Sequence, residues 1–263
     1  MNKYIAIILI GVVGLWFSGG ESFGAVTFDA SSTFTGAVGN GSTTHTIGSG
    51  GNRLLIFISA MANGGTFTSS SFGGVDMTLY ASTTTGTGNG NLGSELWYVL
   101  NPPVGAGTIQ LNNTGGNFVG IGYSFFGTTG FGNVTTSTLI NQNANTIITR
   151  TASSTVGNLV VDAYGEENIA TDITVKPVQN AAQTLILSQI TSNVGAAYVA
   201  AGASYRDATA ASTTMSWTAG NGGTKDMSLF IMELLASVDV ATSSAPTTSI
   251  LGNTNILGNT IIK

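Results

Sequence analysis

The chain has no cysteine, one histidine and four prolines, and only 7% of its 263 residues are charged. Each shortage excludes something. Without cysteine there is no disulfide framework, no thiolate metal site and no cysteine for a lipid anchor. One histidine excludes a His-rich zinc centre. Seven Lys and Arg against twelve Asp and Glu give a net charge of −5, so the basic footprint of a nucleic-acid binder is missing. Collagen is excluded by the few prolines and the lack of a G-X-Y period. Charge-rich disorder is excluded by a hydrophobic share of 42% and a mean hydropathy of +0.31.

What is abundant is small and polar. Gly, Thr, Ser and Asn make up 123 residues, nearly half the chain. The first residues are different. Met1-Asn2-Lys3 is a short positive start, Tyr4 to Phe17 is apolar, and Ser22-Phe23-Gly24 places small residues before Ala25. That layout predicts a cleaved signal peptide over 1–24, hence a secreted or cell-surface protein with no membrane span after cleavage.

Beyond residue 25 no long window has a 3.6-residue apolar period. Short runs rich in Ile, Val, Leu and aromatics alternate with Gly, Asn, Ser and Thr clusters. This pattern predicts an all-β fold, an antiparallel two-sheet sandwich of about 13–15 strands with no substantial helix. Leu54-Leu55-Ile56-Phe57-Ile58 is continuously apolar and should form a central strand covered on both faces. Pro102-Pro103 should end a strand. Expected second-half strands include Asn158–Tyr164, Asp172–Val175 and Asp226–Leu235.

The two halves, 25–130 and 131–236, look like a diverged repeat. Gly51-Asn52-Arg53-Leu54-Leu55-Ile56 resembles Gly157-Asn158-Leu159-Val160-Val161. Trp97-Tyr98 with Thr108–Leu111 resembles Ser204-Tyr205 with Thr214–Trp217, and the strand ending at Phe126 resembles the one ending near Met232. All three matches lie at an offset of 105–107 residues. The halves could be separate sandwiches or could interleave into one jelly roll. Interleaving is favoured, because neither half looks rich enough in long apolar strands to close a core. Residues 237–249 form a linker, and 250–263 repeat Ile-Leu-Gly-Asn-Thr with a period of six. That tail could fray, add as a strand to a neighbouring chain, or be the stub of a longer product.

Few residues are suited to chemistry. His45 sits in Thr44-His45-Thr46-Ile47 and reads as an exposed strand residue, since no G-x-S-x-G elbow accompanies it. Gly88-Asn89-Gly90-Asn91-Leu92-Gly93 fits G-x-G-x-x-G, but a strand follows it, so it reads as a hairpin loop. The acidic residues cluster once, in a loop expected after Tyr164: Glu166, Glu167, Asn168 and Asp172, with Asp162 just before. These are the candidate ligand-binding residues. Ca²⁺ could be held by Asp162, Glu166 and Glu167 with loop carbonyls; no other cofactor and no catalytic residue is expected. Trp97 and Trp217 read as core. Phe67, Phe72 and Phe131, set among Gly, Ser and Thr, read as exposed contacts, with Phe131 the strongest candidate for ligand binding.

Gly50-Gly51-Asn52-Arg53-Leu54-Leu55-Ile56, Gly73-Gly74-Val75-Asp76-Met77-Thr78-Leu79 and Glu95 to Gly105, with Thr214-Met215-Ser216-Trp217, resemble an uncharacterised β-sandwich module of exported bacterial surface proteins. The likeness spans roughly residues 40–236. It implies a concanavalin-like architecture and no established activity, and the E-x-D-x-x-E strand of sandwich glucanases is absent. Together these readings predict a non-enzymatic binding or adhesion module whose partner is a glycan or cell-surface polymer. Two alternatives are a self-assembling structural subunit that uses the tail, and a carbohydrate-active enzyme using Asp162 with Glu166 or Glu167.

Overall fold

Apolar residues at alternate positions, bounded by Gly and Asn turns, produce strands throughout the computed structural model. It describes residues 22–23, 25–36, 40–85, 91–113, 116–168, 173–191 and 198–239. Most of the expected signal peptide, most of the linker, the tail, Asp172 and the start of the Gly88–Gly93 loop lie outside them. The first half carries β1 (Ser22–Phe23), β2 (Thr27–Gly36), β3 (Gly41–Ile47), β4 (Leu54–Met61), β5 (Phe67–Phe72), β6 (Val75–Asp76), β7 (Thr78–Thr84), β8 (Gly93–Leu100), β9 (Gly105–Asn113) and β10 (Phe118–Phe126). The second half carries β11 (Thr128–Phe131), β12 (Thr135–Gln142), β13 (Ile147–Ser153), β14 (Leu159–Asn168), β15 (Val178–Gln179), β16 (Thr184–Ile190), β17 (Tyr198–Asp207), β18 (Ser212–Thr218), β19 (Lys225–Ala236) and β20 (Val238–Asp239). Among the described residues the one helical piece is a 3₁₀ turn at Ala62–Gly64.

The expected all-β antiparallel sandwich is what forms, but with different wiring. Each of the four larger sheets draws its strands from one side of the turn between β10 and β11. The first half has an inner sheet, ordered β2-β10-β4-β8-β7, and an outer sheet, β3-β9-β5-β6. The second has an inner sheet, β11-β19-β14-β17-β16 with β12 also on β19, and an outer sheet, β13-β18-β15. The favoured interleaving of halves is therefore corrected. Apolar residues sit on both faces of each inner sheet, so a half need not borrow strands to enclose a core.

Three apolar layers separate the four sheets. Leu55, Phe57, Phe67, Phe72, Trp97 and Phe118 fill the first half. Ile148, Val160, Tyr164, Met215, Trp217 and Leu229 fill the second. Between the inner sheets, Leu54, Ile56 and Ile58 meet Val161, Ala163 and Phe230. Strand β4 is buried along its whole length, as its continuous apolar run predicts. Trp97 and Trp217 are core, as expected. Phe67 and Phe72 are corrected: both are buried and line the first-half layer.

The register makes the repeat concrete. Leu54 lies opposite Leu100 and Phe125, and Leu159 lies opposite Asp207 and Leu234. The offsets are thus 105, 107 and 109, the last wider than the sequence match suggested. Main-chain bonds repeat as well: Asn101 N–H donates to Arg53 O at 2.7 Å, and Ala208 N–H to Asn158 O at 2.9 Å. A second pair had no sequence signal. Thr85 exchanges bonds with Leu92, N–H to O at 2.9 Å and N–H to Oγ1 at 3.0 Å; Thr191 does the same with Val199 at 2.9 and 3.2 Å.

Candidate functional site

At the seam between the halves, β7 and β8 of the first meet β11 of the second. Tyr80 and Tyr98 flank Phe131 with edge-to-face contacts at centroid distances of 4.5 and 4.7 Å. The Tyr80 hydroxyl donates to Gly132 O at 3.2 Å, joining the halves. Leu100, Thr129 and Leu235 complete a shallow recess around these rings. Tyr80 is 38% exposed and Leu100 43%, so the recess opens to solvent. None of its lining side chains is charged. Of the three Phe residues expected to make contacts, Phe131 alone reaches this surface.

The expected acidic loop is not a loop. Strand β14 continues past Tyr164 to Asn168, paired on both edges, and Glu166, Glu167 and Asn168 are fully buried. Alternation then separates the carboxylates. Asp162 and Glu166 face the outer sheet, while Glu167 faces the first half. Phe131 lies at the far end of the same sheet: it pairs with Leu234, whereas Glu166 pairs with Met227, roughly 23 Å away at about 3.3 Å per residue. The structure therefore does not bring Phe131 together with Glu166, Glu167 and Asn168, and Asp172 lies outside the described residues.

Each carboxylate has its own partners. Asp162 accepts bonds from Trp217 Nε1, Gln183 Nε2, Ser204 N and Ser204 Oγ at 2.8–2.9 Å. Burial nevertheless lifts its pKa to about 7, against the pull of those donors. Glu166 takes the Lys225 ammonium, the Tyr164 hydroxyl at 2.7 Å and Gly220 N at 3.0 Å. Glu167 Oε1 accepts Asn63 N–H at 3.2 Å, and burial, helped by the charge of Asp226, raises its pKa to about 8. The three expected Ca²⁺ ligands do not converge. Among the described residues no group of three or more His, Asp or Glu is placed to hold a metal. Asp162 and Glu166 are four residues apart on one strand face, about 13 Å. Glycoside hydrolysis uses carboxyl separations of roughly 5–5.5 or 6.5–9.5 Å, so this pair suits neither mechanism.

His45 is also corrected: it is 1% exposed, not a surface residue. Ser124 Oγ donates to Asp29 Oδ2 at 2.8 Å, so its lone pair must accept from His45 Nε2 at 3.0 Å. His45 Nδ1 is then the acceptor for Ser32 Oγ at 2.9 Å. Burial lowers its pKa to about 4, partly offset by Asp29. A neutral imidazole thus ties edge strand β3 of the outer sheet to β2 and β10 of the inner one. No pattern short of the full pairing of three strands could have revealed this chain.

In comparisons with known proteins the chain matches no family model, no curated protein and no solved structure.

Proposed function

We propose that the chain is an exported, non-enzymatic binding module that holds a neutral glycan against the Tyr80–Tyr98–Phe131 recess. The observation that carries this reading is the uncharged aromatic recess, open to solvent at the seam. Aromatic faces and edges pack on the C–H face of pyranose rings, and the absence of charge at the recess favours an uncharged sugar. Sealing of the acidic side chains inside strands supports a binding role over hydrolysis. Export rests on the N-terminal layout, and the likeness to exported bacterial β-sandwich modules is consistent with it. A panel of neutral polysaccharides cast into native gels tests the reading. Wild type should be retarded by at least one polymer, and Phe131→Ala or Tyr80→Ala should migrate freely. Migration unaffected by every polymer would reject it.

A further inference from the structure

Glu167 and Asp226 lie directly opposite each other on β14 and β19. Residues so paired have Cβ atoms about 4.5–5.5 Å apart and share a sheet face. Both point toward the first half, near the strand ends where its turns cover them. Glu167 is fully buried and Asp226 is 2% exposed. Among the described residues, the bonds they accept come from neutral donors: Asn63 N–H to Glu167 Oε1, Thr85 Oγ1 to Asp226 Oδ2 at 2.5 Å, and Asn141 N–H to Asp226 Oδ1 at 2.9 Å. Lys225, next to Asp226 in sequence, faces the other way and is bound to Glu166. The remaining oxygen, Glu167 Oε2, is buried with no hydrogen-bond partner.

Two carboxyl groups facing each other and buried among neutral donors cannot both ionise without a large cost unless a countercharge is present. A proton on Glu167 would remove one charge, yet leave Oε2 as a donor with nothing to accept it. A cation answers both deficits at once. We propose that Glu167 Oε2 and the Asp226 carboxylate are the acidic ligands of a Ca²⁺ site at the rim of the seam. Ca²⁺ suits it better than Mg²⁺, because Ca²⁺ accepts six to eight oxygens in flexible geometry, including hydroxyls and main-chain carbonyls. Thr85 Oγ1, which donates to Asp226, is a neutral oxygen beside it. The ion would clamp the second half's inner sheet to the first half's turns at Asn63 and Thr85.

The test uses the full chain, stripped with chelator, then titrated calorimetrically with CaCl₂ and followed by thermal unfolding. Wild type should bind about one Ca²⁺ and gain about 5 °C or more in melting temperature at saturation. Glu167→Gln keeps the Asn63 bond and should fold, yet lose the binding and the gain; Asp226→Asn should weaken both at least tenfold. Wild type that neither binds Ca²⁺ nor gains stability overturns the proposal, as does binding that survives Glu167→Gln.

Discussion

The two halves share a strand order but fill their sandwiches differently. In the first, Phe57 on β4 points into an aromatic layer with Phe67, Trp97 and Phe118. In the second, the position equivalent to Phe57 is Asp162, and that equivalent to Met61 is Glu166, both buried. One wiring diagram thus supports an oily core and a charged one. Strand pairing and the apolar face between the inner sheets define the architecture; the outer-facing positions are free to change chemistry provided every buried polar atom is met. The first half buries polar groups too, but as a neutral His45 relay and as Glu95, which takes Trp97 Nε1 at 3.0 Å and Phe67 N at 3.1 Å.

This difference makes the second half the more fragile under single changes. Lys225→Met leaves Glu166 buried and unpaired and should cost about 3–5 kcal/mol in urea unfolding, whereas the double change Lys225→Met/Glu166→Leu should recover most of it. Asp162→Ala strands Trp217 Nε1 and Ser204 N and should cost about 2–4 kcal/mol. At the equivalent first-half position, Phe57→Met should cost about 1–2 kcal/mol. Equal costs at these two sites would erase the contrast.

Two buried groups, one in each half, should also answer pH with opposite sign. His45 binds fewer protons folded than unfolded, so its contribution is intact above pH 6.5 and lost as pH falls toward 4. Asp162 binds more protons folded, so its contribution is intact below pH 3.8 and lost as pH rises toward 7. His45→Gln should flatten the acid limb of a stability–pH curve, and Asp162→Asn the limb between pH 4 and 7, each by on the order of 1–2 kcal/mol. The smallest effect concerns the seam: Tyr80→Phe removes one exposed bond across it and should cost about 0.5–1 kcal/mol in the same urea assay.

Much of the fold was legible in residue order. The apolar run Leu54–Ile58 announced a doubly covered strand, and Gly-Asn before it and before Leu159 announced the repeat. The acidic residues were misplaced because Gly165-Glu166-Glu167-Asn168 has the composition of a turn, while pairing on both edges with β17 and β19 holds it extended. Strand β12 was missed, and Asp172–Val175 was expected where β15 lies at Val178–Gln179. Phe67 and Phe72 misled for a related reason: their polar neighbours cover the outer face of a sheet whose inner face they fill. Phe131 was identified, but its companions Tyr80 and Tyr98 come from the other half, a juxtaposition that no local pattern encodes.

The apolar layer shared by the inner sheets should make the two sandwiches one cooperative unit. Trp97 lies in the first-half layer and Trp217 in the second. Labelling with 5-fluorotryptophan, with resonances assigned by Trp→Phe variants, lets ¹⁹F NMR follow both halves in a single urea titration. The shared layer predicts that the folded Trp97 and Trp217 signals vanish together, at one midpoint. Two separated midpoints, with one signal still native while the other is unfolded, would contradict it.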